Sequence, residues 1–294
     1  MSDAQAAGAI YDLGYQRYTG ERFGRLYAMR TLFAYSFRAA FGLGRGEKAR
    51  QVPVIVLVLV YLPALVQIGV ASASGMSGFL HYASHLEFTA FLLALFAAAQ
   101  APELIVHDKQ HGVLSLYLSR PLKATDYALA KLAALTAAML VITLGPQLVL
   151  FVGKVFIGTS PWVAFKGEYT KLLPILGGTL LTSLFFAAIG LALASLAAKR
   201  SYASASVIVF FLLMPAAANI FRSLTTGAVR RYMLLVNPVW LITGFANWLF
   251  DIEARRRSVV GRAELEGTVY LYTMLIACAL ATTLLLRRYR KVEA

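Results

Sequence analysis

Residues 86–123 read LEFTAFLLALFAAAQAPELIVHDKQHGVLSLYLSRPLK, and three textures follow one another there. Residues 86–106 are apolar over the length that a helix needs to cross a hydrocarbon core of about 30 Å, roughly 20 residues. A polar segment, His107 to His111, follows and ends at Gly112. Val113, Leu114, Leu116, Tyr117 and Leu118 then form a second, much shorter apolar run. It reads as a short helix bounded by Gly112 and by Arg120-Pro121, where the proline ring bars continuation. From residue 127 the chain is apolar again, with Asp126 placed to cap the new helix. Two membrane spans are thus joined by a loop that carries a short apolar helix. A bare apolar helix in water is costly, so this one is expected to dock on something.

The pattern of residues 86–106 recurs along the chain. Apolar stretches of spanning length run over residues 52–72, 86–106, 127–152, 172–196, 203–221 and 267–286. Composition agrees: 59% of the 294 residues are hydrophobic and only 14% charged. A water-soluble domain carries about a quarter charged residues. The sequence therefore predicts an all-α membrane protein with six transmembrane helices. Residues 236–250 are apolar but short, contain Asn237, Pro238 and Gly244, and are bracketed by Trp240 and Trp248, residues that prefer the interface. They read as a re-entrant or interfacial helix between spans five and six. The chain is expected to be one transmembrane domain over 1–294, with an N-terminal segment 1–50, a bundle 52–286 and a tail 287–294. No cleavable signal peptide is expected, since the first 50 residues lack an early apolar core.

Loop charge sets the expected orientation. With six spans and the N-terminus inside, Arg17 through Arg50, the loop after the second span, Lys199-Arg200 and the cluster Arg287 to Lys291 all fall on the cytoplasmic side, where basic residues accumulate. A seventh crossing at residues 236–250 would send that last cluster outside. Both termini are therefore expected in the cytoplasm of a bacterial inner membrane. Arg222, Arg230, Arg231, Arg255, Arg256, Arg257 and Arg262 run against the rule on the outer face. Before the first span, residues 21–41 read as an amphipathic helix, with Phe23, Leu26, Phe33, Phe37 and Phe41 near one face and Arg30 snorkelling from it. It turns into the first span through Gly42-Leu43-Gly44-Arg45-Gly46. The net charge of +14 suits contact with anionic lipid better than nucleic acid, because no basic stripe with interleaved aromatics lies on a polar domain.

The order of features after the second span resembles the coupling loop of type-2 export-class ABC transporter permeases. The matching residues are His111-Gly112, the short run Leu114 to Leu118, Pro121, and Lys131 opening the third span. The N-terminal amphipathic (elbow) helix, the six spans and the broken segment before the sixth fit the same family. The opening Tyr11-Asp12-Leu13-Gly14-Tyr15 is similar to the start of one bacterial subset. Two positions depart: His107-Asp108-Lys109-Gln110 stands where the family is rich in Glu and Arg, and Ala130 where a glycine is usual. The resemblance implies an exporter in which a separate P-loop ATPase subunit docks on the coupling helix, through His111, Gly112, Leu114, Leu116, Tyr117, Arg120 and Pro121. It implies a second permease subunit, identical or paralogous, and places ATP and Mg on the ATPase, with no cofactor on this chain.

Other constellations carry weaker signals. Glu103, His107 and His111 fall at i, i+4 and i+8, a spacing open to a metal but more economically read as interfacial polarity. His81 and His85, with Glu87 nearby, read as outer-loop residues. Ser183, Ala187, Gly190, Ala194 and Ala198 make a small-residue face for close helix packing. Gly145-Pro146-Gln147 is expected to break and kink the third span. Pro146 and Gln147, with Gln67 and Gln100, are candidates to line a polar pathway. No phosphate-loop motif, His-Glu-x-x-His or Gly-x-Ser-x-Gly occurs, so nothing points to an enzyme. The competing class is a channel or an ion-coupled carrier working without an ATPase; a carrier usually needs ionisable residues near the membrane midplane, and none is clearly placed there in the sequence.

Overall fold

The computed structural model describes residues 20, 23–44, 46–75, 81–118, 122–157, 160–252 and 258–293, excluding the side chains of Leu114, Ser115, Leu118 and residues 291–293. Among them there is no strand. The helices are α1 (Arg25–Ala40), α2 (Glu47–Ser74), α3 (Tyr82–Gln110), α4 (Val113–Leu118), α5 (Ala124–Ile157), α6 (Pro161–Glu168), α7 (Leu172–Leu196), α8 (Arg200–Leu224), α9 (Gly227–Tyr232), α10 (Pro238–Leu249) and α11 (Gly267–Glu293). Six are long and apolar enough to cross a membrane: α2, α3, α5, α7 with α6 leading into it, α8 and α11. This is the expected all-α, six-span architecture. Buried residues of all six spans form one core.

Contacts between helix ends show how the chain passes through the bundle. At the end that carries α4, Glu103 near the end of α3 pairs with Arg200 at the start of α8. Lys109 of α3 reaches Ser195 of α7, and Tyr127 at the start of α5 packs on Tyr289 near the end of α11. At the opposite end, Tyr82 of α3 stacks on Phe250, just past α10, at 5.4 Å. There Lys154 of α5 meets Glu168 of α6, and Gly267 of α11 lies against Trp248. Helix α8 thus ends, and α11 begins, at the end opposite α4. The segment between them starts and finishes on one side. Its two helical pieces, Gly227–Val236 and Pro238–Leu249, meet at a bend of 92°. It therefore does not add a seventh crossing, as the charge pattern anticipated. Asn237 sits at the bend and caps α10, its Oδ1 accepting from the Val239 N–H at 2.9 Å.

Helix α1 lies against α5 and is tied to it by Arg25, which donates from Nε to Asp126 at 2.6 Å. The chain leaves α1 through Gly42 and Gly44, both in the left-handed region with φ +69° and +87°. A Cβ on Gly42 would collide with the Ala49 backbone, so both the conformation and the close approach require glycine there. Close approach also explains the small-residue face of α7: a Cβ on Gly190 would stand 3.2 Å from the Ala97 Cβ of α3. Ser183 on that face hydrogen-bonds Thr143 of α5 at 3.0 Å.

Three expectations are corrected. Helix α5 runs unbroken through Pro146, so Gly145-Pro146-Gln147 does not divide the span; Gly145 instead makes room for the Tyr61 hydroxyl of α2. Asp126 is not the residue preceding α5 but lies in its first turn. From there its carboxylate reaches back to the Lys123 N–H at 3.1 Å, satisfying a donor that the helix leaves open. His85 is not a loop residue: α3 begins at Tyr82, and His85 is buried one turn in. The last two errors share a source. Hydropathy marks where apolar residues stop, while a helix continues until its backbone is terminated. Glu21, Arg45, Tyr11 to Tyr15, Arg120, Pro121 and Arg255 to Arg257 lie outside the described residues.

Candidate functional site

The loop between α3 and α5 is built by a helix stop, a short helix and a buried support. Helix α3 ends at His111, whose N–H still reaches the His107 carbonyl at 3.2 Å. Gly112 follows with φ +66°, a left-handed conformation that a residue with a Cβ adopts only at a cost. That turn redirects the chain into α4. His111 stacks on His107 with ring centroids 4.2 Å apart. Glu103, one turn earlier, is committed to Arg200 at 2.7 Å. Among the described residues no group of three His, Cys, Asp or Glu side chains is placed to hold a metal.

Helix α4 has two distinct sides. Leu116 is 66% exposed. Tyr117 turns inward and is half-buried, with its ring 5.8 Å from that of Tyr127. Tyr127 is fully buried and donates its hydroxyl to Asp108 Oδ2 at 2.8 Å. The same oxygen receives Lys131 Nζ at 2.8 Å, and Lys131 is only 1% exposed. Lys131 also sits 5.3 Å above the Tyr127 ring. Tyr289 closes the cluster from α11, 5.2 Å from Tyr127. Lys109 lies over Tyr289 at 5.6 Å and donates to the Ser195 carbonyl at 2.6 Å. Helices α3, α5, α7 and α11 therefore share one polar and aromatic support beneath α4.

Such a support is stiff for an energetic reason. Two charges taken out of water are tolerable only while each satisfies the other, so any motion that separates Asp108 from Lys131 is heavily penalised. Tyr127 adds a charge-assisted hydrogen bond that fixes the carboxylate rotamer. Outside the bundle, Arg25 grips Asp126 through Nε and through a terminal nitrogen at 2.5 Å. That hydrogen bond, with the negative charge behind it, holds the Arg25 guanidinium above the usual arginine range. Helix α4 thus rests on the ends of several helices together.

A match to the family model described as ABC-2 family transporter protein spans residues 7–294. The chain belongs to that family. An ABC-2 transporter protein is the permease component of an ABC transporter, and this one is a multi-pass membrane protein. No match was found among curated proteins.

Of the loop residues expected to matter in this ABC-2 permease, His111, Gly112, Leu116 and Tyr117 cluster at one turn-helix unit. The candidate pathway residues do not come together. Gln100 lines a cavity of about 640 Å³ with Glu47, Glu103 and Arg200, between the ends of α2, α3 and α8. Gln147 is buried at the other end of the bundle, donating to the Tyr82 carbonyl at 3.0 Å. Its neighbour Pro146 is buried as well, and Gln67 is half-buried on α2. The pairing of Asp108 with Lys131 and the part played by Tyr289 were missed by the sequence reading. A signal for Tyr289 does exist: Tyr270, Met274, Cys278, Ala281, Leu285 and Tyr289 form one buried helical stripe that ends in a tyrosine among arginines.

Proposed function

We propose that the chain is the membrane subunit of an ATP-driven exporter and that α4 receives the movement of a separate ATPase subunit. The observation that carries this reading is the two-sidedness of α4, with exposed Leu116 outward and Tyr117 seated on the Asp108–Lys131–Tyr127–Tyr289 support. An exposed leucine on a rigidly backed helix fits insertion into an apolar groove of a partner. ATP and Mg belong to that partner, a P-loop ATPase. The α4 end of the bundle, with both chain termini, faces the cytoplasm of a bacterial inner membrane, in line with the basic residues gathered there. A second permease subunit completes the transporter. Helices α2 and α8 support this, being the least buried spans at 22% and 11%. The substrate path then runs between two copies rather than through one.

The test is co-purification with the ATPase. Leu116→Asp should abolish capture of the ATPase while the permease still inserts and elutes as a single species, because a charge cannot enter an apolar groove unpaired. Undiminished capture by Leu116→Asp would refute the docking role of α4.

A further inference from the structure

At the end of the bundle opposite α4, the end of α8, the following α9 and a turn about 30 residues further on bring four arginines around one cavity. Arg222 comes from the end of α8, Arg230 and Arg231 from α9, and Arg262 from the short helical turn Gly261–Ala263. The cavity measures about 300 Å³, and among the described residues no acidic side chain lines it. Buried Leu234 and Ala263 contribute to its wall. Among the described residues, no carboxylate lies within ion-pair distance of Arg222, Arg230 or Arg231. Arg222 is half-buried and held with its guanidinium 5.5 Å from the Trp240 ring centre. This contact fixes the side chain without consuming its charge.

Gathering like charges is unfavourable unless something of opposite sign shares the space. Guanidinium groups stay charged at every accessible pH, and their planar forks fit phosphate oxygens in pairs. The ion pairs elsewhere in the described chain look different: Asp108 meets Lys131, Asp126 meets Arg25, Glu103 meets Arg200 and Glu168 meets Lys154. Here several cations face an empty volume larger than one phosphate group needs. We propose that this cavity is a binding site for a phosphate-bearing anion. Phosphate of this kind has two sources, a phospholipid headgroup or a soluble phosphorylated compound, and the chemistry of recognition is shared. The assignment also accounts for arginines that accumulate against the charge rule, and it holds whichever way the protein is oriented.

The experiment uses the full-length protein. In phosphatidylcholine nanodiscs, pyrophosphate is titrated by calorimetry; in detergent, retention of phosphatidylglycerol over phosphatidylcholine is read by native mass spectrometry. Pyrophosphate binding identifies a soluble ligand, and selective phosphatidylglycerol retention a headgroup; either supports the site. Replacing Arg230 and Arg231 together by Gln should weaken the supporting signal by about tenfold or more, and raising salt should weaken it in the wild type. Arg287→Gln with Arg288→Gln, exposed residues at the α4 end, removes the same charge and should leave the signal unchanged. If the Gln pair fails to elute as a single species, Arg230→Lys with Arg231→Lys takes its place, keeping charge but losing the fork, and should still weaken binding. Absence of both signals in the wild type, or equal loss in the Arg287 and Arg288 control, overturns the proposal.

Discussion

The two ends of this bundle handle charge in opposite ways. At the α4 end, Lys131 and Asp108 are buried, paired at 2.8 Å and braced by Tyr127. At the other end, Arg222, Arg230, Arg231 and Arg262 stand around a cavity that no acidic side chain lines among the described residues. A buried pair holds helices in one relative position, because separating it exposes each charge to an apolar surrounding. Arginines gathered around a cavity attract an anion from outside. The first arrangement suits a part that transmits movement, the second a part that meets a ligand.

That contrast requires the two ends to lie on opposite sides of the membrane. With Cys278 replaced by serine, Arg290→Cys and Thr226→Cys should give all-or-none labelling by an impermeant thiol reagent in intact cells. Thr226→Cys should react and Arg290→Cys should not. Labelling of both would place the two ends on one side and break the contrast outright.

A smaller but still large effect is expected from Lys131→Met. It leaves Asp108 buried and uncompensated, a loss of about 3–5 kcal/mol. Thermal melting in detergent should fall accordingly, and adding Asp108→Asn should restore much of the loss. A melting temperature unchanged by Lys131→Met would mean that the pair is not the brace described above.

The smallest effect is expected at Glu168, which faces Lys154 at 3.6 Å where both side chains remain partly exposed. Glu168→Gln keeps an acceptor for the Tyr82 hydroxyl, now at 3.1 Å, but loses the charge. The cost should be about 1 kcal/mol or less. A loss rivalling that of Lys131→Met would show that the end opposite α4 also depends on a structural ion pair, and would blur the contrast.

Much of the fold is legible in the order of residues along the chain. The six spans follow from hydropathy, because a segment of about 20 apolar residues has no stable place except lipid or a core. The turn at Gly112 and the short helix after it follow from local chemistry: a glycine where the backbone must turn left-handed, then a short apolar run. The bent segment ahead of α11 announces itself through Asn237-Pro238, a cap followed by a residue suited to the first helical turn.

What the sequence by itself determined, then, is what neighbours along the chain set: which long segments are helical and which of them are apolar enough to cross. Only the tertiary structure decided which residues meet. Asp108 and Lys131 are 23 positions apart, and Tyr289 lies far beyond both, yet one contact network holds all three. Arg222 and Arg262 converge on a single cavity from either side of a bent segment. Gln100 and Gln147, alike in sequence as lone polar residues in apolar spans, are separated by the packing. The physical reason is that helix formation is local, fixed by hydrogen bonds four residues apart. The side chains that face one another depend instead on how the ridges of each helix seat against the others, and that is settled only when all six are assembled.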